Sequence, residues 1–285
     1  MRETVLLIGH GSRDADGNQE VKDFADYWQR GHPDTRVEVC YIELASPLLT
    51  DGLRRAAREA DRVIALPLIL NAAGHVKREI PEAIRQVREE LPGVAFRYGR
   101  HLGCEEPILK LLRRRLHSAM VTLDMPDPGN TGVILLGRGS SDMSANAEVA
   151  RMARWIFETT QHTLVEYAFT GITDPRLEGV VQRLVQLGMM QVVILPYYLF
   201  TGRLVKRITR QVARLRDQYP RIAMAQAGYL GINDTLVALL DRRLEQARAG
   251  EAETMMECEC CKFSQMRDPS AEDEKRPRCG HGKDE

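Results

Sequence analysis

The sequence has no excess of charge of either sign and no long apolar run. Lys plus Arg and Asp plus Glu number 40 each, so no global charge favours nucleic acid or a membrane surface. No apolar stretch has the length needed to span a bilayer, and Met1-Arg2-Glu3 leads directly into a predicted strand without the apolar core of a signal peptide. We therefore expect a cytoplasmic enzyme that has neither nucleic acid nor a membrane as a partner.

Three common nucleotide-binding and catalytic motifs are also missing. The chain contains no dinucleotide-binding fingerprint, no P-loop lysine at the required spacing and no Gly-x-Ser-x-Gly nucleophile elbow. The short glycine motifs at 9–12 (GHGS) and 137–140 (GRGS) therefore indicate neither a nucleotide site nor an acyl-transfer triad.

Cysteine is scarce outside the C-terminal segment 250–285, where the composition changes. This segment is mostly charged and small, which predicts a flexible tail without a core of its own. Clustered cysteines in an intracellular protein are typical of metal or redox sites rather than of disulfides. Three interpretations stay open, namely an iron–sulfur cluster, a zinc site that includes His281, and unspecific metal affinity. The tail cysteines are Cys258, Cys260, Cys261 and Cys279.

Apolar runs alternate with amphipathic stretches along the rest of the chain, which predicts parallel sheets with helical crossovers. The run at 5–8 is continuously apolar, as expected for a strand that is covered on both faces. For the first half we predict strands at 5–8, 36–44, 62–70 and 94–98, and helices at 20–30, 47–60, 76–90 and 103–117.

The same pattern then occurs a second time, which is the strongest organisational signal in the sequence. VLLIGHGS at 5–12 reappears as VILLGRGS at 133–140, and VIALPLIL at 63–70 reappears as VVILPYYL at 192–199. We predict two tandem α/β domains at 1–123 and 132–249, a linker at 124–131 and a tail at 250–285.

Three polar residues at predicted strand ends occur in the first copy only, namely His10, Glu43 and His75. Their counterparts in the second copy are Arg138, Gly171 and Leu204. If these residues served the fold alone, there would be no reason for the second copy to lack them. Chemistry confined to the first half explains why only that copy carries them. Two imidazoles and a carboxylate suit a divalent metal, and they also suit general acid/base chemistry without a metal. For Glu43, a salt bridge or a helix cap is the competing interpretation.

With these residues in view, the chain resembles the class II tetrapyrrole chelatases, in particular the long-form sirohydrochlorin cobaltochelatases of cobalamin synthesis. The resemblance covers both halves, and its specific elements are GHGS at 9–12, ELASP at 43–47 and GHVK at 74–77. MECECC at 256–261 is similar to the Met-x-Cys-x-x-Cys pattern that the long form uses for an iron–sulfur cluster. The sequence departs from the family at Ser46, where many single-copy members carry an acidic residue, and at the additional Cys260.

The resemblance implies two chelatase-like domains that face each other across a cleft, and ATP-independent insertion of Co²⁺ into sirohydrochlorin. It implies that His10 is a metal ligand and the base for the pyrrole N–H protons, that His75 is a second ligand, and that Glu43 assists metal delivery or proton removal. It places the substrate against Ser46, Leu70, Asn71, Ala72, Ala73 and Gly74.

Several alternatives remain open at this point. The same fold could insert iron for siroheme, or nickel, because imidazole and carboxylate ligands do not select strongly among these metals. A metal or tetrapyrrole carrier without turnover is a further alternative. Since both copies lie in one chain, the protein is expected to be a monomer or a homodimer. The basic helices offer either solvated faces or a positive rim for a polyanion, through Lys77, Arg78, Lys206 and Arg207 among others.

Overall fold

Strands and helices alternate through both halves, as the apolar pattern predicts. The computed structural model describes residues 2–250. The first half contains β1 (Glu3–Gly9), α1 (Ala15–Arg30), β2 (Arg36–Tyr41), α2 (Leu49–Ala57), β3 (Arg62–Pro67), α3 (Ile80–Glu90), β4 (Ala95–Tyr98) and α4 (Glu106–Met120). The second half contains β5 (Thr131–Gly137), α5 (Met143–Thr159), β6 (Leu164–Phe169), α6 (Leu177–Gln186), β7 (Gln191–Pro196), α7 (Arg203–Gln218), β8 (Ala223–Gln226) and α8 (Asp234–Ala249).

Each half builds one four-stranded parallel sheet, so the predicted α/β class is confirmed. The strand orders are β2-β1-β3-β4 and β6-β5-β7-β8. The connection that leaves β1 runs to β2 on one side, whereas the connection that leaves β3 runs to β4 on the other side. The carboxyl ends of β1 and β3 therefore flank a topological switch point, which is where open α/β sheets bind ligands.

Some predicted boundaries are wrong for local reasons. α1 begins at Ala15 rather than at residue 20, because the Asp14 carboxylate accepts a hydrogen bond from the amide of Asp16 and caps the helix. β2 ends at Tyr41 rather than at residue 44, because the backbone turns at Leu44, where φ is 63°. The predicted helix at 76–90 begins with a π-helical turn, His75–Glu79, that precedes α3.

Three apolar cores hold these layers together. Two outer cores lie between a sheet and its own helices, α2 and α3 in the first half and α6 and α7 in the second. The central core is shared, because the inner faces of both sheets pack against α1, α4, α5 and α8 in one continuous cluster. Burial of this common surface joins the two halves into one body.

The last helix of each half is exchanged between the sheets. α4 packs against β7 and β8 of the second sheet, and α8 packs against β3 and β4 of the first. Buried Arg243 on α8 donates to the carbonyls of His101 and Leu102 at 2.9 and 2.7 Å. At the equivalent place Arg115 on α4 donates to the carbonyl of Leu230 at 2.7 Å. Within residues 2–250, every helix is too short or too polar to cross a membrane.

Candidate metal centre

The loop after β1 brings the first two candidate residues together. Gly11 has a φ of 90°, and a Cβ atom there would lie 1.7 Å from the carbonyl oxygen of Glu43, so only glycine allows this approach. The Glu43 amide in turn donates to the carbonyl of His10 at 3.1 Å. The glycine of the GHGS motif therefore serves loop packing, and this packing places the Glu43 side chain beside His10.

His75 reaches the same place from β3. It is the first residue of the π-helical turn, where the Lys77 amide donates to the carbonyl of Ala73 at 2.9 Å. π-helical turns within helices occur frequently at functional sites. His75 Nδ1 lies 3.0 Å from Glu79 Oε1, an ion-pair distance without hydrogen-bond geometry. Glu79 is the nearest carboxylate to this ring. The sequence indicates this contact, because Glu79 follows His75 by four residues and side chains four apart on a helix lie next to each other.

His10, Glu43 and His75 form a compact group. One ligand atom from each residue lies within 4.8 Å of the ligand atoms of the other two. In the described part of the chain, no other three His, Cys, Asp or Glu residues form such a group. His10 Nδ1 is 3.5 Å from Glu43 Oε1, and the two imidazole rings meet edge to face with centroids 4.8 Å apart. Two nitrogens and one oxygen in this arrangement can hold a divalent first-row metal and leave positions open for another ligand.

The environment of His10 keeps its imidazole neutral. Burial, then the positive charge of Arg138, then His75 lower the pKa of His10 to about 4, against the weaker opposing effects of the Gly11 carbonyl and Glu43. Arg138 Nη1 contacts His10 Nε2. Because a guanidinium only donates, Nε2 is the accepting nitrogen and Nδ1 carries the hydrogen, 3.2 Å from the carbonyl oxygen of Gly11. At neutral pH the imidazole is therefore unprotonated on Nε2, and the lone pair of that nitrogen faces Arg138.

Arg138 is the site residue that sequence reasoning missed, although the duplication contained the signal. It occupies the position of His10 in the second copy, so the two GxGS loops meet at the pseudo-twofold axis. Ion pairs bridge the halves on both sides of this contact. Lys77 Nζ lies 2.8 Å from Asp142 Oδ2, and its counterpart Lys206 Nζ lies 2.8 Å from Asp14 Oδ2. These lysines therefore join the two halves instead of forming a purely solvated face.

The predicted substrate residues have unequal access. Ser46 is exposed and precedes a cis-proline, whereas the side chains of Leu70 and Ala72 are buried in the cores. Leu70 and Ala72 can therefore offer a substrate only their backbone. The half-buried members of this loop are Asn71, Ala73 and Gly74, and Asn71 Oδ1 has no hydrogen-bond partner.

A large cavity lies far from this site. Its volume is about 610 Å³, and it opens at the amino end of the first sheet among Glu3, Arg36, Arg62 and Arg248. Glu3 pairs there with both Arg62 and Arg248. The chemistry-bearing residues lie at the opposite end of the strands, so volume alone does not locate the site. The predicted tail cysteines, Cys258, Cys260, Cys261 and Cys279, lie outside the described residues.

Known proteins are similar to this chain in sequence and in fold. The CbiX family model matches the chain twice, over residues 4–119 and 132–247. The chain is 37% identical over 264 residues to the sirohydrochlorin cobaltochelatase of Priestia megaterium, covering 92% of this chain and 84% of that protein. It is 30% identical over 244 residues to the sirohydrochlorin ferrochelatase of the same organism, covering 85% of this chain and 90% of that protein.

A solved structure extends the likeness to three dimensions. It is the sirohydrochlorin chelatase SirB from Bacillus subtilis subspecies spizizenii in complex with cobalt, which is 25% identical to this chain. The match covers 89% of this chain and 97% of that one, with a TM-score of 0.71.

Proposed function

The chain belongs to the CbiX family of sirohydrochlorin chelatases, and we propose that it inserts Co²⁺ into sirohydrochlorin without ATP. As a member of this family it is a metal chelatase. The observation that supports the site assignment is the group of His10, Glu43 and His75, with ligand atoms within 4.8 Å of one another. This group lies beside Arg138 of the second half, where the two sheets direct their carboxyl ends.

The reaction breaks two pyrrole N–H bonds, forms bonds from the ring nitrogens to the metal and releases two protons. We assign His10 and His75 as ligands of the incoming metal, and Glu43 as a third ligand and a proton acceptor. A pKa of about 4 suits His10 to the ligand role, because protons do not compete for its lone pair at neutral pH. Both roles require Arg138 to move away, since its Nη1 contacts the Nε2 lone pair and its positive charge disfavours the protonated ring.

The choice of cobalt rests on the sequence likeness. The relatives include a cobaltochelatase at 37% identity and a ferrochelatase at 30% identity. Two imidazoles and a carboxylate follow the general order of divalent affinities and do not distinguish cobalt from iron or nickel sharply. Iron insertion, nickel insertion and a carrier without turnover are the alternatives that the experiment below separates.

We assign substrate contacts to Ser46 and to the loop 70–74, which leads directly to His75. Sirohydrochlorin carries many carboxylates, and the arginine and lysine side chains around the GxGS loops supply complementary charge. Because one chain contains both halves of the site, a monomer is sufficient for activity, and sedimentation would distinguish it from a homodimer.

An anaerobic metallation assay tests the proposal. Sirohydrochlorin is offered with Co²⁺, Fe²⁺ or Ni²⁺ to the intact protein, to His10→Ala and to His117→Ala, and the macrocycle spectrum is followed. We expect fast cobalt insertion that falls at least 100-fold in His10→Ala, since a general base or ligand contributes on this scale. His117 is exposed on α4, so His117→Ala should keep the full rate. No acceleration over the spontaneous reaction with any metal would refute the chelatase assignment and favour a carrier.

The cluster predicted for the tail stays a prediction from the sequence. Cys258, Cys260, Cys261 and Cys279 supply the thiolates that an iron–sulfur cluster needs. Anaerobic purification with iron and sulfide analysis tests it, because colourless protein with bound zinc would favour a metal-delivery arm instead.

A further inference from the structure

Two backbone turns next to the metal centre hold large apolar residues in an unfavourable conformation. Leu44 has a φ of 63° and Ile172 a φ of 68°. In each turn the residue after the apolar one donates to the carbonyl of the residue before it, Ala45 to Glu43 at 2.8 Å and Thr173 to Gly171 at 2.7 Å. These are γ-turns with a positive central φ, a rare and strained form, and a β-branched residue such as isoleucine is a particularly poor occupant.

Ordinary chain geometry does not explain this pair. Among the described residues, the remaining non-glycine positions with positive φ are Glu59, just past the end of α2, and Met125, between the two halves. A left-handed residue after a helix is a common way to end it, which accounts for Glu59. Glycine would occupy positions 44 and 172 without strain. Strain that persists in a related pair of loops is a reason to look for a function.

Both turns are fixed to the backbone of the site. The Glu43 amide donates to the carbonyl of His10, and the Gly171 amide donates to the carbonyl of Arg138, each at 3.1 Å. Since Arg138 contacts His10, the two turns flank one centre from opposite halves. The side chains at their tips are 48% exposed for Leu44 and 59% exposed for Ile172, so each turn presents apolar surface to solvent one residue away from the backbone contact with His10 or Arg138.

We propose that Leu44 and Ile172 are a pair of apolar contacts for the macrocycle of the bound tetrapyrrole, one from each half of the chain. This inference rests on the proposed function, because the macrocycle is the ligand that the function supplies. A tetrapyrrole has a flat apolar ring and a charged periphery, so its ring needs apolar contact close to the metal ligands while its carboxylates need cations. The strained turns hold the two apolar side chains beside His10 before the ring arrives, and contact with the ring removes their exposed surface from water.

The test separates substrate binding from stability. The variants are Leu44→Gly, Ile172→Gly and the double variant, and the readouts are the Kd for metal-free sirohydrochlorin, the Kd for Co²⁺ alone and the Tm. Loss of one apolar side chain should weaken sirohydrochlorin binding about 10-fold, and loss of both on the order of 100-fold. Binding of Co²⁺ alone should stay within about twofold. Relief of the left-handed strain should raise the Tm by about 2–4 °C for each glycine.

Two further variants make the result specific. Glu59→Gly relieves a similar φ of 61° beside the cavity at the amino end of the first sheet, so it should raise the Tm without affecting sirohydrochlorin binding. Leu44→Met keeps an apolar side chain and should retain most of the binding. A double glycine variant that binds sirohydrochlorin as tightly as the intact protein would overturn the inference, as would a lowered Tm with unchanged binding.

Failure of the two contacts can be distinguished from failure of the chelatase assignment. Intact protein that binds sirohydrochlorin but never inserts a metal would refute the proposed function, while a weakened double variant would still support the two contacts. Intact protein that inserts cobalt while the double variant binds normally would refute the contacts alone.

Discussion

The two halves have nearly the same backbone fold and differ in the side chains at equivalent positions. Gly11 and Gly139 have φ values of 90° and 86°. Each lies against a carbonyl of the next loop in its own half, that of Glu43 for Gly11 and that of Gly171 for Gly139. The loops that follow contain the cis peptides Ser46–Pro47 and Asp174–Pro175. Yet the first half carries the candidate ligands and the second does not. The GxGS motif is therefore the signature of a loop packing that both halves need, and the chemistry depends on side chains that can change without disturbing it.

A second pair of equivalent positions shows that two matching contacts between the halves are not equally satisfied. Glu20 of the first half accepts hydrogen bonds from two groups of the second half, the Tyr229 hydroxyl at 3.0 Å and the Thr201 amide at 2.6 Å. In the equivalent contact, His101 Nε2 of the first half lies 3.5 Å from Glu148 Oε1 of the second half, and Glu148 Oε2 has no hydrogen-bond partner. The two contacts are therefore equivalent in position but not in hydrogen bonding, since His101 stands where the other contact has Tyr229.

The largest expected effect comes from giving the first half a residue of the second. His75→Leu removes one of the two imidazoles, so we expect cobalt insertion into sirohydrochlorin to fall at least 100-fold. Leu204→Met, at the equivalent position, should stay within about twofold because no metal ligand is lost. The measurement is the initial rate under anaerobic conditions. Equal losses in both variants would mean that the two halves share the chemistry.

A smaller effect is expected from the arginines of the exchanged helices. Arg243 is 1% exposed and also pairs with Glu105 at 2.7 Å, whereas Arg115 makes a hydrogen bond to one backbone carbonyl and its Nε has no partner. Arg243→Met breaks a buried ion pair and should lower the free energy of unfolding by about 3 kcal/mol. Arg115→Met should cost about 1 kcal/mol. Urea unfolding of both variants measures the difference, and a larger loss for Arg115→Met would contradict this assignment.

The smallest expected effect is a change in titration at the contact between the two GxGS loops. The pKa of His10 is about 4, so between pH 6.5 and 4 the unfolded chain binds a proton that the folded chain does not. The His10 contribution to stability is therefore complete above pH 6.5 and is lost as the pH falls toward 4.

Arg138→Leu removes a nearby like charge and should raise the pKa of His10, by about one unit. Burial remains, so the pKa should stay below the ordinary value. Histidine NMR titration of the metal-free protein measures this change. An unchanged midpoint would show that the arginine does not act on the imidazole in solution.

Much of this architecture follows from the sequence. Continuous apolar runs predict buried parallel strands, and the repeated motifs predict two similar halves. Because carboxyl ends of neighbouring parallel strands meet at one edge, His10 and His75 are expected to lie together. The resemblance to chelatases is confirmed by the family match and by the relatives, whereas the metal, the domain boundaries and the roles of the site residues stay predictions.

Other features depend on long-range packing that no local pattern encodes. The sequence pattern of an amphipathic helix identifies its apolar face but not the sheet that this face covers. The exchange of α4 and α8 therefore cannot be predicted from the sequence. The contact between Arg138 and His10 depends in the same way on how the two halves meet. The strained positions 44 and 172 are occupied by leucine and isoleucine, and not by glycine or asparagine, the residues that usually indicate a positive φ.

The exchanged helices also determine what a break in the chain would do. α4 completes the core over the second sheet, and α8 completes the core over the first. Trp28 Nε1 of α1 donates to Asp241 of α8 at 2.7 Å, which ties the first half to the final helix. A peptide bond cleaved in the turn Pro128–Asn130 would therefore leave two fragments that hold each other through interlocked helices, as in a split protein that reassembles by complementation. Each fragment alone would lack the helix that covers the inner face of its sheet, because the other fragment carries that helix.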